Sequence, residues 1–163
     1  MNGLVTFRLG DREYATPLDD VREVVRLEGL VDLPGMAPPL AGVLDLRGSA
    51  LPVLDLRPIA SPGARGDVLV LELVGVSGAP GLGDSGPVGV AVDQVRAVVA
   101  LEDLPCAGTT PDVRLLAPYV VDVLRGPAGV VFLVDLARMV DAARSTSAQT
   151  QRPDIALRRS AQT

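Results

Sequence analysis

The stretch Gly42-Val43-Leu44-Asp45-Leu46-Arg47-Gly48-Ser49-Ala50-Leu51-Pro52-Val53-Leu54-Asp55-Leu56-Arg57 decides the fold. Its apolar residues recur at the two-residue period of a strand, on either side of a small-residue turn. Alternation puts Leu44, Leu46, Leu54 and Leu56 on one face, and Val43, Asp45, Arg47, Val53, Asp55 and Arg57 on the other. A three-residue loop, Gly48 to Ala50, sets Leu44 opposite Leu54 and keeps the leucine faces together. A two-residue loop would move the pairing by one. Pro52 has no N–H to donate, which predicts an edge strand at that point. The expectation is a hairpin with an apolar inner face and a charged outer rim.

Upstream, residues 4–9 alternate as a strand, Gly10 to Glu13 reads as a turn, and residues 13–18 return. Residues 20–27 are β-branched enough for a third strand, and the Pro-rich residues 33–40 make a connection. With the hairpin these form a first five-stranded unit at about 4–58. Residues 59–66 are a linker by composition. Downstream come a buried strand at 67–74, a Gly- and Pro-rich mobile loop at 75–87, strands at 88–93 and 95–100, and a loop at 103–111. A last hairpin, 115–123 and 129–134, completes a second unit at about 67–134. Asp135 is placed to cap a helix at about 136–144, whose Leu136, Met139, Val140 and Ala143 share a face. Residues 145–163 are Ser, Thr, Gln and Ala with scattered charge, and read as a disordered tail.

The halves repeat. Val21-Arg22-Glu23-Val24-Val25 parallels Val95-Arg96-Ala97-Val98-Val99. Val43-Leu44-Asp45-Leu46 with Arg47-Gly48 parallels Val120-Val121-Asp122-Val123 with Arg125-Gly126, and Val53-Leu54-Asp55-Leu56 parallels Leu133-Val134-Asp135-Leu136. An all-β fold of two small barrels sharing one core seam follows.

Of the 163 residues, all fifteen basic ones are Arg, and the net charge is −5. An acidic body with Phe7, Tyr14, Tyr119 and Phe132 as its only rings argues against nucleic-acid binding. No apolar run is long enough to insert into a bilayer, and charges in residues 1–13 interrupt any signal peptide. A cytoplasmic protein is expected. Cys106 cannot form an internal disulfide and reads as a small apolar filler, with no basic neighbour to activate it.

Without histidine, Ser-His-Asp, Cys-His and His–metal arrangements are absent. Asp19, Asp20, Asp45, Asp55, Asp93 and Asp122 could serve acid–base chemistry, but strand ends and exposed faces make them a solvated rim. Gly81 to Gly86 spells G-x-G-x-x-G, yet strand-like residues follow it where a dinucleotide site needs a helix. No cofactor or metal is expected. What remains is an apolar surface of Val21, Val43 and Leu46 punctuated by Glu23 and Arg47, the make-up of a docking groove.

In this order and spacing, the motifs resemble the CheW family, over about residues 4–143. They are Phe7-Arg8-Leu9-Gly10 with Tyr14; Val21-Arg22-Glu23-Val24; Leu33-Pro34; Leu40-Ala41-Gly42-Val43-Leu44-Asp45-Leu46-Arg47-Gly48; Leu51-Pro52-Val53-Leu54-Asp55-Leu56-Arg57; Val88 to Val95; and Leu133-Val134-Asp135-Leu136. The resemblance implies two SH3-like five-stranded β-barrels. It implies a non-enzymatic chemotaxis adaptor that joins the regulatory domain of the histidine kinase CheA to the cytoplasmic tips of chemoreceptors. Partner binding would fall on Val21, Glu23, Gly42, Val43, Leu46, Arg47 and Gly48. Here Asp122 replaces a glycine usual in the family's last hairpin, and the 75–87 loop is long. Rival readings are the same scaffold in another sensory or surface-motility pathway, a small-molecule site between the halves, or a carboxylate enzyme.

Overall fold

The computed structural model describes residues 2–32, 34–35, 39–57, 65–74, 85–108 and 117–150. Along them run β1 (Gly3–Leu9), β2 (Arg12–Pro17), β3 (Val21–Arg26), β4 (Leu40–Leu46), β5 (Ser49–Asp55), β6 (Asp67–Val74), β7 (Ser85–Val92), β8 (Gln94–Ala100), β9 (Val120–Gly126), β10 (Gly129–Val134) and α1 (Leu136–Thr150). The strands form two five-stranded sheets, ordered β8-β1-β2-β10-β9 and β3-β6-β7-β5-β4. Each sheet curls around its own apolar cluster. All five strands of the second contribute to Val25, Leu44, Leu51, Val53, Val68, Val70 and Ala91. All five of the first contribute to Leu4, Ala15, Val99, Leu124 and Val131. The all-β expectation of two small barrels with a C-terminal helix holds.

A third cluster fills the seam between the barrels. Val5 and Phe7 of β1, Leu69 and Leu71 of β6, Val88 and Val90 of β7, and Leu136 and Val140 of α1 belong to it. Neighbouring residues on β6 therefore serve different cores: Val68 and Val70 point into their barrel, Leu69 and Leu71 into the seam. A strand buried on both faces reads as an unbroken apolar run, as residues 68–71 do. Among the described residues the seam is packed with side chains.

The barrels do not divide the chain at the 59–66 linker. The β1–β2 hairpin joins β8, β9 and β10, while β6 and β7 join β3, β4 and β5. Expected barrels at about 4–58 and 67–134 are thus corrected: the two sequence repeats exchange their first hairpins. The registers prove the repeat. Val21↔Leu71 followed by a bulge and Glu23↔Val70 is copied as Val95↔Phe7, a bulge, and Ala97↔Thr6. Leu40↔Leu54, a bulge and Gly42↔Val53 is copied as Val120↔Val134, a bulge and Asp122↔Leu133. These ladders match Leu46 to Gly126, so the counterpart of Arg47 is Pro127 and not Arg125.

The organising hairpin also departs from its expected register. Leu46 pairs with Ser49 and Leu44 with Leu51, leaving a two-residue turn of Arg47 and Gly48. Both turn residues have positive φ, 51° and 84°, the signature of the type I′ turn whose twist suits a hairpin. The Asp45 carboxylate accepts the Gly48 N–H at 2.7 Å and holds it. The bulge between Leu40 and Gly42 resets the phase, so Leu44, Leu51 and Val53 share the barrel interior while Leu54 turns to the seam. Val53 and Arg57, expected on the outer rim, are buried. Arg57 chelates Asp55 through Nε at 2.9 Å and Nη2 at 2.7 Å.

Strand β5 lies between β7 and β4, so β4 is the sheet edge, but at Pro52 itself β5 pairs with β4 alone, as the missing N–H predicts. The β5–β7 ladder begins at Val53 and Gly89. Pro52 and Pro87 precede it, and their missing N–H groups cost it nothing. Ser85 to Pro87, expected in a loop, thus belong to β7. The rest of that loop up to residue 84 lies outside the described residues, as do the 58–64 part of the linker and residues 151–163 of the tail. The glycine motif lies outside the described residues up to residue 84, and its last two residues, Ser85 and Gly86, open a strand.

Asp135 caps α1, its Oδ1 accepting the Arg138 N–H at 3.2 Å. The helix runs to Thr150 and not to 144. No Gly or Pro interrupts the sequence before Pro153, so nothing local stops it.

Candidate functional site

Strand β3 alternates half-buried Val21, Glu23 and Val25 with exposed Arg22, Val24 and Arg26. Glu23 therefore points inward at the mouth of the second-listed barrel. β3 and β4 end that sheet's strand order, so the barrel must close without a ladder between them. Two devices close it among the described residues. The strap after β3 makes an isolated bridge to β4: the Val31 N–H donates to the Val43 carbonyl at 2.9 Å, and the Val43 N–H to the Val31 carbonyl at 3.0 Å. Beyond it, the Arg47 guanidinium reaches from the turn and grips Glu23 in two parallel bonds, Nη1–Oε2 at 2.9 Å and Nη2–Oε1 at 2.6 Å.

This bidentate geometry is the strong form of the guanidinium–carboxylate contact. The hydrogen bonds from Arg47 hold the Glu23 carboxyl below the usual range, aided by the charges of Arg47 and Arg22. Arg47 is correspondingly raised by the same partner. The pair is ionised at neutral pH and open to water, with the Arg47 side chain 68% exposed and Glu23 24%. It fixes a cation and an anion at the mouth; at such exposure it adds little to stability.

The structure sorts the expected partner-binding residues. Glu23 and Arg47 are brought together on one surface, in direct contact. Gly48 is exposed beside Arg47, and Leu46 is half-buried against the barrel cluster. Val43 is half-covered by the strap. Val21 packs toward the seam. Gly42 is buried: a Cβ there would lie 2.5 Å from the Val31 carbonyl oxygen, so glycine lets the strap lie flat on β4. Sequence reasoning missed Val31, which is 57% exposed on that strap. Its signal was the apolar Leu30-Val31 pair, standing between Gly29 and Asp32 in a connection.

The remaining carboxylates are engaged locally. Asp93 accepts the Gly10 N–H at 2.7 Å, Asp67 the Val95 N–H at 2.8 Å, and Asp122 the Val123 N–H at 2.8 Å. The Asp20 carboxyl is raised by burial first, then by the charges of Asp135 and Asp19, and the residue is exposed. Cys106 is exposed and not the filler expected; its thiol donates to Asp122 at 3.2 Å. That bond and the nearby negative charge push the thiol up and disfavour thiolate. Among the described residues no cluster of His, Cys, Asp or Glu could hold a metal ion, and no helix is long and apolar enough to cross a membrane.

Comparison with known proteins bears on this arrangement. The family model for the CheW-like domain matches residues 3–144. Over 76 residues the chain is 33% identical to a probable chemotaxis protein CheW of Rhizobium etli, covering 43% of this chain. The aligned part is 48% of that relative, so the chain spans about half its length. Over 106 residues it is 37% identical to protein FrzA of Myxococcus xanthus, covering 64% of this chain and 61% of FrzA. The crystal structure of the scaffolding protein TtCheW from Thermoanaerobacter tengcongensis matches with a TM-score of 0.58 at 21% identity. It covers 83% of this chain and 84% of that one, and shows a shared fold.

Proposed function

The chain belongs to the CheW family, and from that premise we propose that it is a non-enzymatic coupling scaffold of the cytoplasm. It joins a CheA-type histidine kinase, through the kinase's regulatory domain, to the cytoplasmic tips of chemoreceptors. The observation that carries this reading is the Glu23–Arg47 clamp at the barrel mouth. It offers a fixed ion pair, with exposed Val31 and half-buried Val43 and Leu46 on the neighbouring strand edge. Charge at fixed spacing beside apolar surface suits a helical receptor tip. The clamp fixes orientation; array avidity, from many modest contacts, supplies strength.

The test is a titration against a receptor-tip hairpin peptide and the kinase regulatory domain, separately and then together. Arg47→Glu sets two carboxylates against each other and is expected to abolish receptor-tip binding. The exposed pair contributes little to folding, so the melting curve and kinase binding should stay unchanged. Full receptor-tip binding by a normally folded Arg47→Glu protein overturns the assignment. A second reading, the same scaffold in another sensory or surface-motility pathway, draws on the 37% identity to a relative named FrzA and not CheW. Receptor-tip peptides from the two kinds of pathway, titrated side by side, distinguish them.

A further inference from the structure

The repeat makes the two barrel mouths comparable position by position, and they differ in charge. At the clamped mouth, Arg22 of β3 pairs with Glu72 of β6 at 3.3 Å, beside Glu23 and Arg47. The ladders place Val21↔Leu71 on Val95↔Phe7, so Arg22 and Glu72 correspond to Arg96 and Arg8. Glu23 corresponds to Ala97, and Arg47 to Pro127. In the other barrel, therefore, one ion pair has become two arginines and the second has been erased.

Neither arginine is held in an ion pair, although Glu13 stands across the β1–β2 ladder from Arg8. Arg8 and Arg96 form no ion pair with any described residue. Arg8 Nη2 donates to its neighbour's carbonyl, Gly10 O, at 3.3 Å, and Arg96 Nη1 to the Gln94 side-chain oxygen at 3.4 Å. Both are long contacts to neutral acceptors. Together the two arginines line an open groove of about 450 Å³ at this barrel's end, with Arg12 as a third cation. Asp11 and Glu13 also line it, leaving the cations in excess by one. One wall is apolar, formed by Val130, which is 52% exposed, and half-buried Phe132.

We propose that this groove docks an extended acidic segment of a partner protein. A carboxylate of the segment lies between Arg8 and Arg96 and bonds both, as Glu72 bonds Arg22 in the other barrel, and an apolar side chain lies on Val130 and Phe132. Guanidinium groups hold carboxylates in paired, directional bonds, and two arginines without an ion pair, in a groove with one cation in excess, gain from such a partner. The apolar wall selects a peptide over a free anion. The chain's net charge of −5 disfavours nucleic acid as the occupant. The proposal does not depend on the clamp's role at the opposite barrel.

The experiment titrates the full chain with a short fluorescent peptide alternating Glu and Leu, and with a Lys–Leu counterpart. The Glu–Leu peptide is expected to bind at low salt and to weaken as salt is raised, while the Lys–Leu peptide does not bind. Arg8→Glu should weaken binding roughly tenfold or more. That substitution gives Arg96 the kind of partner that Arg22 has in the other barrel but sets a second carboxylate across from Glu13, so its melting temperature should change little. Should Arg8→Glu nevertheless misfold, Arg96→Gln gives the same readout with a smaller change. Arg22→Gln, at the clamped mouth, should leave peptide binding intact. Equal affinity for the Lys–Leu peptide, or undiminished binding by the folded Arg8→Glu and Arg96→Gln proteins, overturns the proposal. So does an all-Glu peptide of equal charge that binds as well, because the apolar wall would then play no part.

Discussion

Gly42→Ala tests how the clamped barrel is closed. A Cβ on Gly42 would sit 2.5 Å from the Val31 carbonyl oxygen and 2.9 Å from Leu30 Cγ. The leucine can rotate away, but the carbonyl is backbone and cannot. The strap must lift, which releases the two backbone hydrogen bonds between Val31 and Val43, at 2.9 and 3.0 Å. Each is worth about 1 kcal/mol net. Leu30 packs on the barrel cluster, and partly uncovering it adds about 1 kcal/mol. A total loss of about 3 kcal/mol should lower the melting temperature of a chain this size by about 6–12 °C. Thermal denaturation followed by circular dichroism measures this, and hydrogen exchange at the Val31 and Val43 amides locates it. A melting point within about 2 °C of the parent, with both amides still protected, would refute closure by the strap. The lifted strap carries Val31 out of place, so receptor-tip binding is expected to weaken as well, even at temperatures where the variant is folded.

Thr16 is buried with its hydroxyl unpartnered among the described residues, so Thr16→Val should stabilise by about 1–2 kcal/mol; an unchanged or lower melting temperature counts against that. Arg57→Met strands the Asp55 carboxylate, whose side chain is 11% exposed, and should cost about 3 kcal/mol, whereas the Asp55→Leu/Arg57→Met double variant should recover most of it. A double variant as unstable as the two single costs combined would show the pair to be uncoupled. Glu23 and Asp20 respond to pH with opposite signs. The Glu23 carboxyl is lowered by folding, so its contribution is full above the unfolded value and is lost as pH falls through the folded one. The Asp20 carboxyl is raised, so its ionisation costs stability above the folded value and that cost fades as pH falls to the unfolded one. Because the Glu23–Arg47 pair is open to water, Glu23→Gln should lower the melting temperature at neutral pH by no more than about 2 °C, and Asp20→Asn should raise it slightly, both differences vanishing in strong acid. Differences that persist unchanged there would mean the substitutions act through packing.

What was legible in the sequence was local. Two-residue periodicity found the strands, since each needs one face in a core, and Asp135 announced its helix by capping chemistry. The hairpin register was misjudged because a bulge near Ala41 resets the leucine phase, and no residue type there advertises it. The exchanged hairpins were invisible for a related reason. Alternation says which face a strand buries but not which hairpin lies beside it, and Leu69 serves the seam as readily as Val70 serves the barrel. The repeat of residues 43–46 falls three positions out of step in the sequence, and that of Arg47-Gly48 two, because Asp45 and Asp122 look alike while the ladders equate Asp122 with Gly42. Arg57 was taken for a rim charge, since nothing in its own neighbourhood shows that the chain returns over it at Arg65, whose carbonyl accepts from its Nη1 at 3.5 Å. At the site, Glu23 and Arg47 stood out as charges in apolar strands. Their mutual grip depended on barrel closure, which only the fold could show.

The two mouths show why duplication suits a coupling role. Bulges and cross-strand pairs are set by the core, and both repeats keep them at matching positions; a slip in either would turn apolar residues to water. Mouth residues carry no such burden. Exchanging Glu72 for Arg8, or Glu23 for Ala97, leaves every ladder in place, so charge can diverge while geometry does not. One mouth closes its charges on themselves, Arg47 on Glu23 and Arg22 on Glu72. The other leaves Arg8 and Arg96 open to solvent. Two copies with identical mouths would compete for one kind of partner. Copies that share a scaffold but differ in charge can hold unlike partners at once, and the packed seam fixes the distance between them.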